Sequence, residues 1–184
     1  MDNKTRRLLI NASVSLFGLM AICILIRPGS LSANGGISYF GNYKGTLLPY
    51  SGAFILTAWF LYQLTNRLWH AKFFGDYVKQ ALDLIAVLVI ALILVPSNGG
   101  HLLERIHEGI GSAIFSLELI LSVYWWLASR KDRFLSVLVL LELFSGIASA
   151  VYLPTHHGLM LQTQLVFQAA FMLVLYRVQL YRRL

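Results

Sequence analysis

Long apolar runs alternate with short polar connections along the whole chain. Six runs are long enough to cross a bilayer, at positions 8–26, 47–66, 80–96, 111–129, 134–153 and 159–178. A helix needs about 20 residues to span the hydrocarbon, and the runs lack the strict alternation of barrel strands. Because backbone groups inside a bilayer must be hydrogen-bonded within the segment, each run is predicted to be a helix. The pattern therefore predicts an all-α fold, a single six-helix transmembrane domain over residues 1–184.

The composition is that of a membrane protein, with 58% hydrophobic and 12% charged residues. A soluble domain carries roughly twice that share of charge. The net charge of +7 comes from short basic clusters between apolar runs, which suits lipid headgroups and not nucleic acid. The expected partner is the lipid bilayer, with no nucleic acid and no cofactor. The lone cysteine, Cys23, excludes an intramolecular disulfide.

The basic residues divide unequally between the two sides of the predicted bundle. Because lysine and arginine concentrate on the cytoplasmic side of membrane proteins, the richer side is predicted to be cytoplasmic, with both termini there. The expected location is the plasma membrane, which is the inner membrane in a Gram-negative cell. The outer side receives Arg27, Lys44 and Arg105. The inner side receives Lys4, Arg6, Arg7, Arg67, Lys72, Lys79, Arg130, Lys131, Arg133, Arg177, Arg182 and Arg183.

The first outer connection reads NGGISYFGNYKGTLLPY, and we call residues 34–50 the cap loop. Its glycines are not followed by the lysine and hydroxyl of a phosphate-binding loop. They allow the loop to fold back over the bundle while its aromatic side chains rest at the membrane interface. The cap loop is predicted to be either a packed cap or the lid of an outward-facing pocket. Its aromatic residues are Tyr39, Phe40, Tyr43 and Tyr50.

A second outer connection, SNGGHLLERIHEG at 97–109, combines histidines with glutamates. As about two helical turns, it would place His101, Glu104 and Glu108 on one face, with His107 rotated away. Such side chains can bind a metal ion or respond to pH. However, no HExxH, HxxxH or paired-cysteine spacing is present, and solvated loop residues are the ordinary alternative. With the PTHHG turn, the outer-face polar cluster comprises His101, Glu104, His107, Glu108, His156 and His157.

Two glutamates interrupt apolar runs, in the settings FSLELIL and LLELFSG. Counting ~1.5 Å per residue from the cytoplasmic ends places Glu118 about 16 Å and Glu142 about 12 Å into the membrane, with Gln168 about 15 Å up. A central acidic residue costs about 2.5 to 3.5 kcal/mol, so both glutamates are predicted to point inward. At least one of them is expected to be protonated at neutral pH and hydrogen-bonded to Gln168 or to a backbone carbonyl. The alternatives are an interhelical hydrogen bond that sets the helix register, or a proton- or cation-linked site in a solute pathway.

Two short motifs give the chain a family resemblance. ISYFG at 37–41 precedes a second span that begins LLPYSGAF, and IHEG at 106–109 precedes the fourth span. This arrangement resembles the DRAM-like six-transmembrane superfamily, whose bacterial members are of unknown function. The resemblance implies a compact six-helix bundle with a polar outer surface, and it implies no reaction. The acidic first-loop element of the eukaryotic members is replaced here, so no role of those acids is carried over.

A second comparison concerns the vitamin-binding S-components of energy-coupling transporters. They are similar in length, with six spans, both termini inside and a first outer loop that covers a substrate pocket. In this chain the cap-loop aromatics could stack on a flat ligand. The first span, NASVSLFGLMAICILI, lacks the small-residue AxxxA run through which such subunits dock.

Three functional classes follow from these patterns, with a non-enzymatic multi-pass membrane protein as the leading expectation. A small-solute carrier or substrate-binding subunit predicts a cavity that runs from the cap loop to Glu118 and Glu142. A metal-dependent hydrolase predicts that the outer histidines and glutamates converge on one point. A lipid-interacting or structural protein predicts neither feature, but it does predict a lateral, lipid-facing groove or a conserved oligomer contact. Nucleotide-binding and serine-hydrolase motifs are absent from the sequence.

Overall fold

The computed structural model describes residues 3–32, 35–68, 76–129, 132–155 and 158–181. These residues form six long α-helices and two short 3₁₀ helices, and contain no strand. The all-α prediction is confirmed. The two 3₁₀ helices, Pro28–Ser32 and Ile37–Asn42, lie between the first two α-helices. The α-helices are α1 (Asn3–Ile26), α2 (Lys44–Leu68), α3 (Asp76–Leu94), α4 (His101–Ala128), α5 (Arg133–Thr155) and α6 (Met160–Tyr181).

The outer surface of the bundle is apolar, as a membrane protein requires. All six helices contain an 18-residue window with a mean hydropathy between 1.2 and 2.4. Side chains such as Leu25, Leu48, Val14 and Phe144 point outward and are exposed. In water such a surface would be strongly unfavourable, whereas lipid tails accept it. The chain is a multi-pass membrane protein with six spans.

The helix boundaries differ from the predicted spans mainly in α4. The sequence indicated a short outer helix before a span that begins at residue 111, but α4 runs unbroken for 28 residues from His101. Gly109 and Gly111 therefore do not interrupt it, because a glycine inside a helix costs only about 1 kcal/mol. The end of α3 at Leu94 is sharper, since Pro96 disfavours helical geometry in the residue before it.

The helix backbones approach each other most closely in three pairs, α1 with α2, α5 with α6 and α2 with α3. Helix α4 lies closest to α3, and it approaches α5 and α6 over shorter stretches. Buried residues such as Leu9, Leu82 and Phe171 fill the core between the close pairs. The loose packing of α4 leaves space on its inner side.

We call the end of the bundle that carries residues 27–43, 95–100 and 158–159 the cap face. The cap loop folds over this face, and its later part, Lys44 to Tyr50, forms the first turns of α2. Phe40 is 0% exposed, and its carbonyl accepts a 2.7 Å hydrogen bond from the Thr46 hydroxyl. This part of the cap loop is therefore a packed element and not a free connection.

At the opposite end of the bundle, Asp132 joins the turn between α4 and α5 to α6. One Asp132 carboxyl oxygen accepts hydrogen bonds from the Phe134 and Leu135 amides at 3.0 and 3.3 Å, as an N-cap residue does. The other accepts a 2.8 Å hydrogen bond from Nε of Arg177. Burial alone would raise the pKa of Asp132, but Arg177 and the two amides outweigh burial and hold that pKa below its ordinary value.

Candidate functional site

A cavity of about 650 Å³ lies between α4 and the rest of the bundle. All six α-helices contribute to its wall, together with Ile37, Ser38 and Asn42 of the cap loop. It extends from these cap-loop residues to Glu118 and Gln168 inside the membrane-spanning part. Its volume is typical of sites that enclose a small organic molecule. The cavity is the candidate functional site.

Glu118 and Gln168 form the polar part of the cavity wall within the membrane. The Gln168 amide nitrogen donates a 2.8 Å hydrogen bond to one Glu118 oxygen. Glu118 is 3% exposed, so its carboxyl is almost entirely surrounded by protein. The structure thus confirms the predicted meeting of Gln168 with a glutamate on a neighbouring helix. Whether this pair serves a solute pathway stays a prediction.

Glu142 lies behind this pair and does not line the cavity. It is 0% exposed, within electrostatic range of Glu118, and faces the Ser122 hydroxyl on α4. Neither Glu142 oxygen makes a hydrogen bond in good geometry to any atom of the described chain. The predicted continuity of the cavity is therefore correct as far as Glu118 and wrong for Glu142.

Two aromatic rings form an apolar wall next to the polar pair. Phe115 of α4 and Phe167 of α6 stack with ring centroids 4.3 Å apart and planes 4° apart. Both rings line the cavity, as does Met172. Phe115 lies one helical turn from Glu118, and Phe167 is adjacent to Gln168 in sequence. A ligand that reaches the carboxyl therefore also contacts aromatic and apolar surface.

His107 joins the cap loop to two helices at the mouth of the cavity. Its Nδ1 donates a 2.6 Å hydrogen bond to the Val95 carbonyl, just beyond the last turn of α3. Its Nε2 lies 2.6 Å from the Ser38 hydroxyl, which donates to it when the ring is neutral. Ser38 also faces the Tyr50 hydroxyl. His107 is buried in this network, unlike the other described members of the predicted outer-face cluster.

Gln164 of α6 fixes the other side of the cap loop. Its side-chain oxygen accepts a 2.7 Å hydrogen bond from the Ile37 amide. Gly36 lies beneath the same oxygen with φ of 57°, and a Cβ there would come within 2.4 Å of it. Glycine is required at this position both by the backbone angle and by the close approach. His107 and Gln164 together hold the cap loop over the cavity.

The four cap-loop aromatics do not line the cavity. Phe40 and Tyr50 are buried in the packing of the cap, while Tyr39 and Tyr43 are partly buried. The Arg27 guanidinium lies 3.3 Å from the centroid of the Tyr43 ring, a cation–π contact. The pKa of Tyr39 is raised mainly by its hydrogen bond with Tyr43 and, to a smaller extent, by burial. Stacking of the cap-loop rings on a ligand stays a prediction, and the two aromatic rings in the cavity wall are Phe115 and Phe167.

The predicted members of the outer-face polar cluster do not share one environment in the structure. His101, Glu104 and Glu108 are exposed, and the two glutamates lie at the mouth of the cavity. His156 and His157 lie outside the described residues. Among the residues that are described, no three His, Cys, Asp or Glu side chains come together in a group able to hold a metal ion. The metal hydrolase hypothesis therefore gains no support from this part of the chain.

The cavity also opens sideways between α4 and α5. Leu143 and Ile147 of α5 and Ser112 of α4 line it and are exposed. The three residues lie at the middle of these helices or nearer the cap face, whereas towards the other end a 2.9 Å hydrogen bond from Trp126 to Ser136 joins α4 to α5. A molecule dissolved in the lipid can therefore approach the cavity from the side as well as from the cap face.

Sequence reasoning missed the aromatic wall and the small residues that line α4. The available signal was a stripe at i, i+3 and i+4 spacing, formed by Glu108, Ser112, Phe115 and Glu118, with Gly111 beside it. Polar and small residues at that spacing mark one helix face that differs from a lipid-facing one. The stripe could have predicted which side of α4 faces the cavity.

The fold and the cavity define a class: a multi-pass helical membrane protein with an internal polar and aromatic pocket. No protein-family model matches the chain, and neither curated proteins nor solved structures give a match to it.

Proposed function

We propose that this protein binds a small, largely apolar solute in the cavity beneath the cap loop, as a solute carrier or a substrate-binding membrane subunit. The role is non-enzymatic. The protein lies in the plasma membrane with both termini in the cytoplasm, so the cap face is outside. The unequal distribution of basic residues supports this orientation.

The observation that carries the proposal is the cavity of about 650 Å³ that joins the cap loop to a buried carboxyl. Cores of helical proteins are normally close-packed, and empty space of this size is unfavourable unless something fills it. The lining is mostly apolar, with a few convergent polar groups, as in small-molecule sites. Solute binding accounts for the space, the aromatic wall and the polar pair together.

Relationship to the DRAM-like proteins is likewise a proposal for this chain. Its two motifs contact each other, because Ser38 belongs to ISYFG and His107 to IHEG. If the resemblance reflects relationship, the pair of motifs is the device that holds the cap loop over the cavity. In a packed cap the contact between Ser38 and His107 stays closed, whereas in a lid it opens.

Two glycines on α4 provide a matched test of the cavity. Gly111 lines the cavity and Gly109 does not, and a Cβ at either position meets nothing within 4 Å. Leucine at either position improves helix propensity by up to about 1 kcal/mol. Gly111→Leu should fill part of the cavity, whereas Gly109→Leu should leave it unchanged.

The experiment measures saturable binding of three naphthalene probes to purified protein in lipid nanodiscs. The probes carry trimethylammoniomethyl, neopentyl or carboxymethyl groups, and so are cationic, neutral and anionic. We expect at least one probe to bind saturably, with affinity reduced about tenfold or more by Gly111→Leu and unchanged by Gly109→Leu. Absence of saturable binding for all three probes, or equal affinities in the two variants, would contradict the proposal.

A further inference from the structure

Apart from histidine, the ionisable side chains of the described residues that line the cavity are all acidic. The whole chain has 15 basic and 8 acidic residues, yet Glu104, Glu108 and Glu118 line the cavity and no described lysine or arginine does. The first two lie at the mouth, and Glu118 lies inside the membrane-spanning part. His107 also lines the cavity, but both of its ring nitrogens are already engaged in hydrogen bonds. When its carboxyl groups are ionised, such a cavity attracts cations and disfavours anions.

No basic side chain of the described residues pairs with the inner carboxyl. Glu118 has Gln168 as its hydrogen-bond partner, and the ionisable group that acts on it is the second carboxyl, Glu142. Glu142 is fully buried and faces the Ser122 hydroxyl, but it does not line the cavity. Buried carboxyl groups are ordinarily paired or hydrogen-bonded. A positive group on a ligand in the cavity would give Glu118 a partner of opposite charge.

The apolar wall fits the same kind of ligand. The stacked rings of Phe115 and Phe167 lie next to Glu118 and Gln168 in the wall. The faces of aromatic rings attract cations, and this attraction is strongest where water is excluded. The gap between α4 and α5 admits a molecule that is soluble in lipid.

We propose that the solute is a lipophilic organic cation, an amine or quaternary ammonium compound, recognised by Glu118 and the Phe115–Phe167 wall. This proposal rests on the proposed solute-binding function and names its substrate class. Glu104 and Glu108 raise the local concentration of cations at the mouth. Glu118 then pairs with the positive group, while the apolar part of the ligand fills the space beside Phe115, Phe167 and Met172. Gln168 keeps the carboxyl in position.

The same three naphthalene probes test the inference, because they share one ring system and differ in charge. Glu118→Gln removes the group that can ionise and keeps a group that can hydrogen-bond to Gln168. Glu118→Asp keeps an ionisable carboxyl and serves if the glutamine variant does not fold. The trimethylammonium group carries its charge at every pH, so protonation of the probe does not enter the result.

In the wild type we expect the ammonium probe to bind at least about tenfold more tightly than the neutral probe, and the carboxylate probe to bind most weakly. Glu118→Gln should abolish this preference and leave the affinity for the neutral probe within about threefold of its wild-type value. Glu118→Asp should retain the preference. If all three probes bind equally to the wild type, or Glu118→Gln keeps the preference, the cation proposal fails while the solute-binding function stands. If none binds saturably, both fail.

Discussion

The hydrogen bond between Gln168 and Glu118 shows how a single polar residue is accommodated within the membrane. Each side chain alone would leave a polar group in an apolar interior. Their helices bring them to the same depth, and the amide donates to the carboxyl at 2.8 Å. Counting residues from the helix ends predicts the similar depth of the two side chains, because depth in a helix follows from position. The contact itself also depends on how each helix is rotated about its axis.

Removing only one member of this pair should destabilise the protein. Gln168→Leu leaves a Glu118 oxygen without its donor, so we expect the free energy of unfolding to fall by about 1–2 kcal/mol. Replacing both residues by leucine removes both polar groups and should recover most of the loss. Thermal unfolding of Gln168→Leu, Glu118→Leu and the double variant in detergent measures the coupling between the two residues. Additive effects in the double variant would contradict a direct interaction.

At the scale of single elements, α4 determines the site because its two faces differ. One side carries buried core residues such as Leu121 and Trp125, and the other lines the cavity with Ser112, Phe115 and Glu118. At 28 residues, α4 is about 42 Å long, so its first turns extend past a ~30 Å hydrocarbon core. Those turns carry Glu104 and Glu108 to the mouth of the cavity.

The turn before α5 gives a prediction that separates capping from charge pairing. Asp132→Asn keeps an N-cap residue but loses the charge that pairs with Arg177, whose side chain is 34% exposed. We expect a loss of about 1–2 kcal/mol in the free energy of unfolding. Asp132→Ala also loses the cap and should cost about 1 kcal/mol more. Denaturant unfolding of the wild type, Asp132→Asn and Asp132→Ala tests this order of stability.

The same pair predicts how stability depends on pH. The pKa of Asp132 is lower in the folded protein than its ordinary value, which is about 3.9. Its contribution is therefore fully present above about pH 4–5 and is lost as the pH falls through the lower, folded pKa. The stability difference between the wild type and Asp132→Asn should be constant near neutral pH and shrink in acid. If the stability difference between the wild type and Asp132→Asn grew below pH 4, the result would contradict the pairing of Asp132 with Arg177.

For the whole molecule, the sequence predicted the helices well and the cavity only in part. Apolar runs of about 20 residues identify the spans, because the thickness of the bilayer sets their length. The cavity depends on the loose packing of α4, which no periodicity encodes. The stripe on α4 marks the face that carries Phe115, but no pattern in the sequence places Phe167 opposite it. The stacked pair follows only from where α4 and α6 lie in the bundle.

The central claim is that the cavity beneath the cap loop is open to solutes from outside the cell. Two positions on α4, four residues apart, test it in a Cys23→Ser background. Ser116 lines the cavity, whereas Ile120 is 63% exposed on the outer surface and does not. A thiol reacts as the thiolate, which forms in contact with water and not in lipid.

The measurement is the rate at which an impermeant, cationic methanethiosulfonate reagent modifies each cysteine in intact cells. We predict that Ser116→Cys is modified, that the ammonium naphthalene probe slows this reaction, and that Ile120→Cys stays unmodified. Equal failure of both cysteines to react, or reaction of Ser116→Cys with no protection by any of the three probes, would contradict the account.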